Sequence, residues 1–194
     1  MKAALAFEAV ACLRGGRLLF EGLDFALGPG EAALVTGPNG IGKSSLLRLA
    51  AGLLVPAAGH IERRGRIALV NDALALDRSE TLVRALGYWA RIDGAPPDAV
   101  ARALDAMGLA ALAPVPVRML SSGQAKRAAL ARLIAAGADI WLLDEPGNGL
   151  DTASLARLAD AMAAHRAGGG ILLAATHQPL GLDDARPIVL DSIT

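Results

Sequence analysis

Gly37-Pro38-Asn39-Gly40-Ile41-Gly42-Lys43-Ser44 is the stretch that decides the fold of this chain. It fits the phosphate-loop pattern G-x-x-x-x-G-K-[ST] at every fixed position. Residues 32 to 36 before it form a short apolar run that predicts a buried strand, and residues 44 to 51 after it predict a helix. A chance glycine-rich turn is the alternative, and the flanking strand and helix make it a poor one.

A loop of this kind binds nucleotide phosphates, because its glycines let successive backbone N–H groups face the phosphate oxygens at the start of a helix. We expect Lys43 to reach the β- and γ-phosphates of ATP and the Ser44 hydroxyl to be a ligand of Mg²⁺. ATP and Mg²⁺ are therefore the expected cofactors. The predicted ATP-binding residues are Gly37, Pro38, Asn39, Gly40, Ile41, Gly42, Lys43, Ser44 and Ser45.

Two carboxylates follow a second apolar run, residues 140 to 143. Ligands of a parallel sheet bind at the carboxyl ends of its strands, so Asp144 and Glu145 are expected beside the phosphate loop. Asp144 would help to hold Mg²⁺, partly through water, and Glu145 would be the general base that activates the attacking water. An acidic turn that caps the next element is the alternative, and it weakens once the phosphate loop is considered.

The order of the predicted elements indicates an α/β fold. The first forty residues suggest N-terminal antiparallel strands, and after residue 121 helices alternate with strands, which predicts a mostly parallel sheet. Apolar residues recur at helical spacing over about residues 73 to 117, on either side of Pro96-Pro97. We therefore expect one domain over residues 1 to 194, with a helical subdomain over approximately residues 73 to 136.

Leu120-Ser121-Ser122-Gly123-Gln124 is a serine-rich helix start that could be a simple N-cap or an anion site. At this point the chain resembles the ABC ATPases, whose signature motif it carries between the phosphate loop and the Asp-Glu strand. Gly149-Leu150-Asp151 is similar to the D-loop of that family, and His177 to its switch histidine. The motifs stand in the family's order, and the resemblance implies a P-loop NTPase fold of the ABC type.

The resemblance also implies a homodimer that sandwiches two nucleotides. In that arrangement the signature of one subunit completes the site on its partner's phosphate loop, so these residues act in trans: Ser121, Ser122, Gly123 and Gln124. Asp151 would belong to the D-loop, and His177 would contact the γ-phosphate as a second catalytic residue beside Glu145.

At a finer level the whole chain resembles the ATP-binding subunits of the cytochrome c maturation haem exporters, the CcmA family. The run from Cys12 to Phe20 and the run Thr176-His177-Gln178-Pro179-Leu180 are similar to that family. This implies an ATP-hydrolysing translocase subunit, held peripherally on the cytoplasmic face of the inner membrane by integral permease subunits. Another small-solute ABC transporter is an alternative, and a soluble non-transport ABC ATPase is a weaker one.

The chain departs from the ABC pattern at two places, the loop that enters the helical insert and the adenine-stacking position. The usual Gln of the loop that enters the helical insert is missing, so Asn71 or Asp72 is the candidate for that Mg²⁺ or water contact. Arg14 stands near the position of the usual adenine-stacking ring, and a guanidinium also stacks on bases. Within the insert, Tyr88 and Trp89 are the candidates for the surface that meets a membrane partner.

Composition limits the partners further. The 194 residues include 19 basic and 19 acidic side chains, a balance that argues against a nucleic-acid partner. Hydrophobic residues make up 54% of the chain, but no apolar run reaches the roughly 20 residues of a membrane span. Cys12 is the only cysteine, and the three histidines are far apart, so neither an intrachain disulfide nor direct haem binding is expected. We expect Arg63, Arg64 and Arg66 to form a solvated turn between strands.

Overall fold

A computed structural model describes residues 2–71 and 74–191, which form an antiparallel sheet and a parallel sheet. The antiparallel sheet has three strands in the order β2-β1-β4, and the parallel sheet has five in the order β5-β6-β7-β3-β8. The predicted α/β class, with N-terminal antiparallel strands and a parallel sheet, is confirmed. The strands are β1 (Ala4–Arg14), β2 (Arg17–Leu27), β3 (Ala32–Thr36), β4 (Ala58–Arg64), β5 (Ile67–Val70), β6 (Ile140–Asp144), β7 (Ile171–Ala175) and β8 (Arg186–Val189).

Five α-helices connect the strands of the described residues. Three of them follow β5 and pack on one another in the region expected to be a helical insert. Among residues 2–71 and 74–191, no helix combines the length and the apolar character needed to cross a membrane. The helices are α1 (Lys43–Ala50), α2 (Leu82–Ile92), α3 (Ala99–Ala106), α4 (Ser122–Ala136) and α5 (Thr152–Ala167), with short 3-10 turns at Ala110–Leu112 and Val117–Met119.

The interior strand β6 contributes to two layers of the core because its side chains alternate between the faces of the sheet. Ile140 and Leu142 belong to the apolar cluster that includes residues of α1. Trp141 and Leu143 belong to the cluster that includes residues of α4. Burying one such leucine contributes about 1.5–3 kcal/mol, so the strand that carries the Asp-Glu pair is firmly placed.

Arg63 corrects the prediction of a solvated basic turn. It lies in β4, and its guanidinium donates to the carbonyl oxygens of Leu49, Ala50 and Ile61, of which the first two belong to the last turn of α1. A helix leaves these last carbonyls without intrahelical partners, so Arg63 satisfies them and fixes the C-terminal end of α1.

Arg66 is exposed, as predicted, but its side chain also has protein partners. It stands after the turn at Gly65, just before β5, and its guanidinium donates to the carbonyl oxygens of Asp93 and Gly137. Arg64 fits the predicted solvated character, because its side chain is exposed and pairs with the side chain of Glu62.

His165 is half-buried at the end of the parallel sheet away from the phosphate loop. Its ring stacks on Trp141 with the centroids 4.0 Å apart, and its Nε2 lies 3.3 Å from the carbonyl oxygen of Ile171. Burial lowers the pKa of His165 below its ordinary value of 6.5. The unfolded chain therefore binds more protons than the folded chain below that value, and stability falls as the pH decreases.

We expect His165→Phe, which keeps a ring on Trp141, to flatten this pH dependence. Thermal melting between about pH 7.5 and about pH 5.5 measures it: the wild type should lose more Tm on acidification than the variant does. The exposed His60 provides the control, since His60→Gln should keep the wild-type slope. An acid-induced loss of Tm that is equal in wild type and His165→Phe would contradict the assignment.

Candidate nucleotide-binding site

The phosphate loop joins β3 to α1 and depends on glycine at defined positions. Gly37, Gly40 and Gly42 have φ angles of 139°, 77° and 124°, in the left-handed region that disfavours side chains. A Cβ on Gly37 would lie 2.4 Å from the carbonyl oxygen of Leu190, and one on Gly42 would lie 3.3 Å from the ring of Phe20. The backbone angles therefore favour glycine at all three positions, and space is short at Gly37 and Gly42, which fits a group held by N–H donors.

Lys43 points its ammonium group back into the loop. Its Nζ donates to the carbonyl oxygens of Gly37 and Pro38, at 2.7 and 3.1 Å. The residue is only 8% exposed. An ammonium group held inside a ring of backbone atoms is placed to meet the phosphates of a nucleotide.

The two carboxylates lie at the carboxyl end of β6. Glu145 has a φ of 47°, and its N–H donates to the carbonyl oxygen of Ala175 at 2.8 Å. A non-glycine residue in this conformation stores of order 1–3 kcal/mol of strain, which the neighbouring strand holds in place. The positive φ turns the chain at Glu145 out of the direction of β6, whose last residue is Asp144.

Phosphate loop and carboxylates share one cavity of about 350 Å³. Ser44 and Ser45 line it on the side of α1, and Leu19 of β2 lines it as well. The sequence did not point to Leu19, because nothing in its pattern separates it from the other leucines of β2. The lining comprises Leu19, Asn39, Gly40, Gly42, Lys43, Ser44, Ser45, Asp144 and Glu145.

His177 follows β7 and reaches the same site. Its Nε2 lies 2.9 Å from Lys43 Nζ, 3.2 Å from Asn39 Oδ1 and 3.8 Å from Glu145 Oε1. An ammonium group only donates hydrogen bonds, so Nε2 of a neutral imidazole is the acceptor of the Lys43 contact. The imidazole therefore stands where a phosphate oxygen would meet Lys43.

We expect His177→Ala to tighten the binding of pyrophosphate, because the variant removes a competing partner of Lys43 and pyrophosphate lacks the third phosphate that His177 would contact in ATP. One net hydrogen bond corresponds to an affinity gain of roughly two- to tenfold. Isothermal titration of the purified chain measures the gain, and His60→Ala, which changes an exposed histidine of β4, should leave the affinity unaltered. An unchanged or weaker pyrophosphate affinity in His177→Ala would show that the contact does not compete with phosphate.

The signature residues lie at the start of α4. Ser121 is the N-cap: its Oγ accepts from the N–H of Gln124 at 3.3 Å, and the Gln124 side chain accepts from the N–H of Ser121 at 2.9 Å. This capping box leaves the N–H groups of Ser122 and Gly123 in the first turn for an anion. None of the four signature residues is among the described residues that line the 350 Å³ cavity.

The D-loop segment connects the carboxylates to α5. Asp151 is the N-cap of α5, and its Oδ1 accepts from the N–H of Ser154 at 2.8 Å. Hydrogen bonds from the side chain and the backbone of Ser154 lower the pKa of Asp151 below its ordinary value of 3.8. Gln178, next to the switch histidine, donates to Asn148 of the D-loop segment at 3.3 Å, a contact that the sequence did not predict.

The remaining candidates divide between the site and the helical region. Asn71 directly follows β5, whose Val70 is paired with Leu143, so it stands at the sheet edge that carries Asp144. Asp72 lies outside the described residues. Arg14 is exposed at the end of β1, beside the Gly15-Gly16 turn.

Tyr88 and Trp89 of α2 line a separate cavity of about 910 Å³. Tyr88 is 54% exposed, whereas Trp89 is half-buried. The indole N–H of Trp89 donates to the carbonyl oxygen of Ala75 at 2.7 Å, and the guanidinium of Arg132 lies over its ring. The two neighbours therefore differ: Tyr88 offers free surface, and Trp89 is largely engaged within the chain.

Fold and site together define an ATPase of the P-loop type with an ABC signature. Comparison with known proteins agrees: the family model described as "ABC transporter" matches residues 20–148. The chain is 57% identical to the cytochrome c biogenesis ATP-binding export protein CcmA of Sphingopyxis alaskensis, over 98% of both chains. It is 54% identical to the protein of that name from Zymomonas mobilis, over 98% of this chain and 86% of that one.

A solved structure supports the same class. The inward-facing structure of a putative metal-chelate type ABC transporter superposes with a TM-score of 0.83 at 27% identity, covering 98% of this chain and 80% of that one. The chain belongs to the ABC transporter family and, within it, to the family of cytochrome c biogenesis ATP-binding export proteins. The predicted class, an ATP-hydrolysing ABC subunit, is confirmed.

Proposed function

We propose that this chain drives the export step of cytochrome c biogenesis by hydrolysing MgATP, and that haem or a haem-linked group is exported. The observation that supports the hydrolytic part best is that Lys43 and Glu145 line one cavity and His177 lies within 3.8 Å of both, although the three residues come from distant parts of the chain. The names of the relatives, which specify cytochrome c biogenesis and export, support the pathway.

The proposed metal site uses few protein ligands. Ser44 and Asp144 line the cavity with oxygen atoms, and Asn71 stands at the neighbouring strand end. The described residues contain no cluster of three or more His, Cys, Asp or Glu side chains that could hold a metal by themselves. This donor set fits Mg²⁺, which usually takes one or two protein ligands together with phosphates and water. When bound there, Mg²⁺ would neutralise charge on the phosphates.

In the proposed reaction Glu145 accepts a proton from the water that attacks the γ-phosphate. Its carboxylate lines the cavity, and its Oε1 lies 3.8 Å from Nε2 of His177. Lys43 would exchange the imidazole of His177 for phosphate oxygens, and His177 would then contact the γ-phosphate. The loop glycines would supply backbone N–H donors to the phosphates.

A second copy of the chain would complete the site. The first turn of α4 offers N–H groups at Ser122 and Gly123, and these residues do not line the chain's own phosphate cavity. Gly123 lies near Gly149, since a Cβ on Gly123 would be 3.6 Å from the Gly149 carbonyl oxygen. Signature and D-loop therefore form one surface, which in a homodimer would cover the partner's nucleotide.

Arg14 would stack on the nucleotide base. The side chain of Cys12, two residues before it in β1, interacts with Ser45 of α1, which places the end of this hairpin beside the phosphate loop. The three phenylalanines Phe7, Phe20 and Phe25 are buried, so none of their rings is exposed to stack on a base. A guanidinium on this exposed strand end provides a flat surface for a base.

The membrane subunits would dock on α2. Tyr88 is exposed there and lines the 910 Å³ cavity, together with charged residues such as Glu80 and Arg84. A large cavity with an aromatic side chain suits a protein partner. Docking would hold the chain at the cytoplasmic face of the inner membrane, and the membrane subunits, not this chain, would contact haem.

A pull-down from solubilised membranes, with and without ATP, tests the proposal. Tagged wild-type chain should recover integral membrane subunits of cytochrome c maturation, with haem absorbance in the recovered complex and none in the free chain. Tyr88→Asp should lose these partners, and Leu53→Asp, which changes an apolar residue 65% exposed on another surface, should keep them. Recovery of other permeases would contradict the haem pathway, and recovery of ribosomes or DNA-repair proteins alone would contradict transport.

A further inference from the structure

Trp89 connects two parts of the chain that are distant in sequence. Its indole N–H donates to the carbonyl oxygen of Ala75, in the loop that follows β5, at 2.7 Å. Ala75 and Trp89 both line the 910 Å³ cavity. An occupant of this cavity can therefore contact Trp89 directly, or contact it through the backbone at Ala75.

Arg132 of α4 contacts the ring face of the same Trp89 side chain. Its Cζ lies 4.0 Å from the centroid of the Trp89 ring, a close cation–π distance. Arg132 is half-buried, and its Nε is buried with no hydrogen-bond partner among residues 2–71 and 74–191. Asp93 attracts the guanidinium from farther away. The ring face of Trp89 is thus a stabilising contact for a partly buried charge on α4.

We propose that Trp89 and Arg132 are positioning residues that couple the occupied cavity at Ala75 to the orientation of the signature helix α4. Arg132 lies about 15 Å along the helix axis from Ser122, at roughly 1.5 Å per residue. The capping box at Ser121 and the left-handed Gly137 keep α4 regular at both ends. A shift of Arg132 is therefore transmitted along one rigid helix to the turn that presents Ser122 and Gly123.

This coupling rests on the proposed function, because it needs a docked partner at one end and a nucleotide at the other. It supplies a physical contact between the two ends in a chain that lacks the usual Gln after β5. The contact consists of three directly touching groups, the Ala75 carbonyl, the indole and the guanidinium. Coupling through such a continuous set of contacts can be tested, because removing one contact should weaken it.

Tryptophan fluorescence of the full chain tests the proposal. In a Glu145→Gln background, where ATP stays bound, MgATP should change the Trp emission. Trp89→Phe should abolish this change, since Trp141, the other tryptophan, is buried against His165. Arg132→Met keeps the aliphatic stem and removes the cation, so it should reduce the emission change at least about threefold. Arg132→Lys keeps a cation that can lie over the Trp89 ring, so it should retain most of the change.

Arg127→Met is the matched control, because Arg127 lies on the same helix and donates to the carbonyl oxygens of Met107 and Gly108 without contacting Trp89. It should keep the emission change. In chains with Glu145 intact, Arg132→Met should lower kcat at least about threefold and leave KM within about twofold, since the phosphate loop is untouched. A change that survives Trp89→Phe, or is unaffected by Arg132→Met, would overturn the coupling. Failure of the parent chain to bind MgATP at all would instead contradict the proposed function.

Discussion

Glu145→Gln is expected to lower kcat for ATP hydrolysis by about 10²–10⁴-fold, the usual contribution of a positioned general base. The amide keeps the size of the carboxylate and its place after β6, but it cannot accept the proton of the attacking water. Phosphate release measures the loss of turnover. A binding titration with MgATP should show an affinity within about threefold of the wild type, because Lys43 and the loop glycines are unchanged.

Glu62→Gln provides the control for this experiment. Glu62 lies in β4 and pairs with the exposed Arg64, far from the phosphate cavity. It should hydrolyse ATP at the wild-type rate. If Glu145→Gln retained wild-type turnover, the base would have to be another group at the cavity, and the role proposed for Glu145 would be wrong.

Lys43→Met is expected to weaken MgATP binding by roughly 10- to 100-fold, because it removes charge-assisted hydrogen bonds to phosphate. Methionine preserves most of the apolar stem of this buried side chain, so the variant should keep its fold. Isothermal titration with ATP and with tripolyphosphate measures the loss. Both ligands should be affected equally, because Lys43 contacts the phosphates and not the base.

The exposed Lys2 gives the matched control, since Lys2→Met removes one positive charge outside the site. Its ATP affinity should equal that of the wild type, which separates the local contact from the loss of net charge. A Lys43→Met chain that bound tripolyphosphate as tightly as the wild type would contradict the placement of the phosphates at Lys43.

Elements with continuous apolar sequence were predictable, and elements at the edges of the sheets were not. The run at residues 32 to 36 matches the bounds of β3, and the run at residues 140 to 143 lies within β6, because turn or acidic residues follow each of them. By contrast, β4 was not predicted: it is an edge strand that contains three charged residues, Glu62, Arg63 and Arg64, so its sequence resembles a turn. The bonds of Arg63 to the end of α1 depend on the fold and leave no local pattern.

The same division applies to the site. The phosphate loop could be located from sequence because its backbone angles require glycine at Gly37, Gly40 and Gly42. The close contact of His177 with Lys43 could not be read from any local pattern, since 134 positions separate the two residues. The cation–π contact of Arg132 with Trp89 is equally non-local. From sequence, Trp89 was a candidate only for the surface that meets a membrane partner.

A mixing experiment tests most directly whether two chains complete each other's sites. Lys43→Met leaves the signature intact, and Gly123→Asp leaves the phosphate loop intact while placing a negative charge where the partner's γ-phosphate would lie. An acidic residue in the first turn of α4 is otherwise favourable to the helix. Each variant alone should be inactive, whereas an equal mixture should regain up to about a quarter of the wild-type ATPase rate, because about half of the random pairs contain one complete site.

The ATPase rate of this mixture, measured against each variant alone, is the decisive number. Recovery that is greatest near equal amounts would establish that the signature of one chain serves the phosphate loop of the other. A mixture with no more activity than its two inactive components at any ratio would contradict the composite site, and so would full activity of Gly123→Asp by itself.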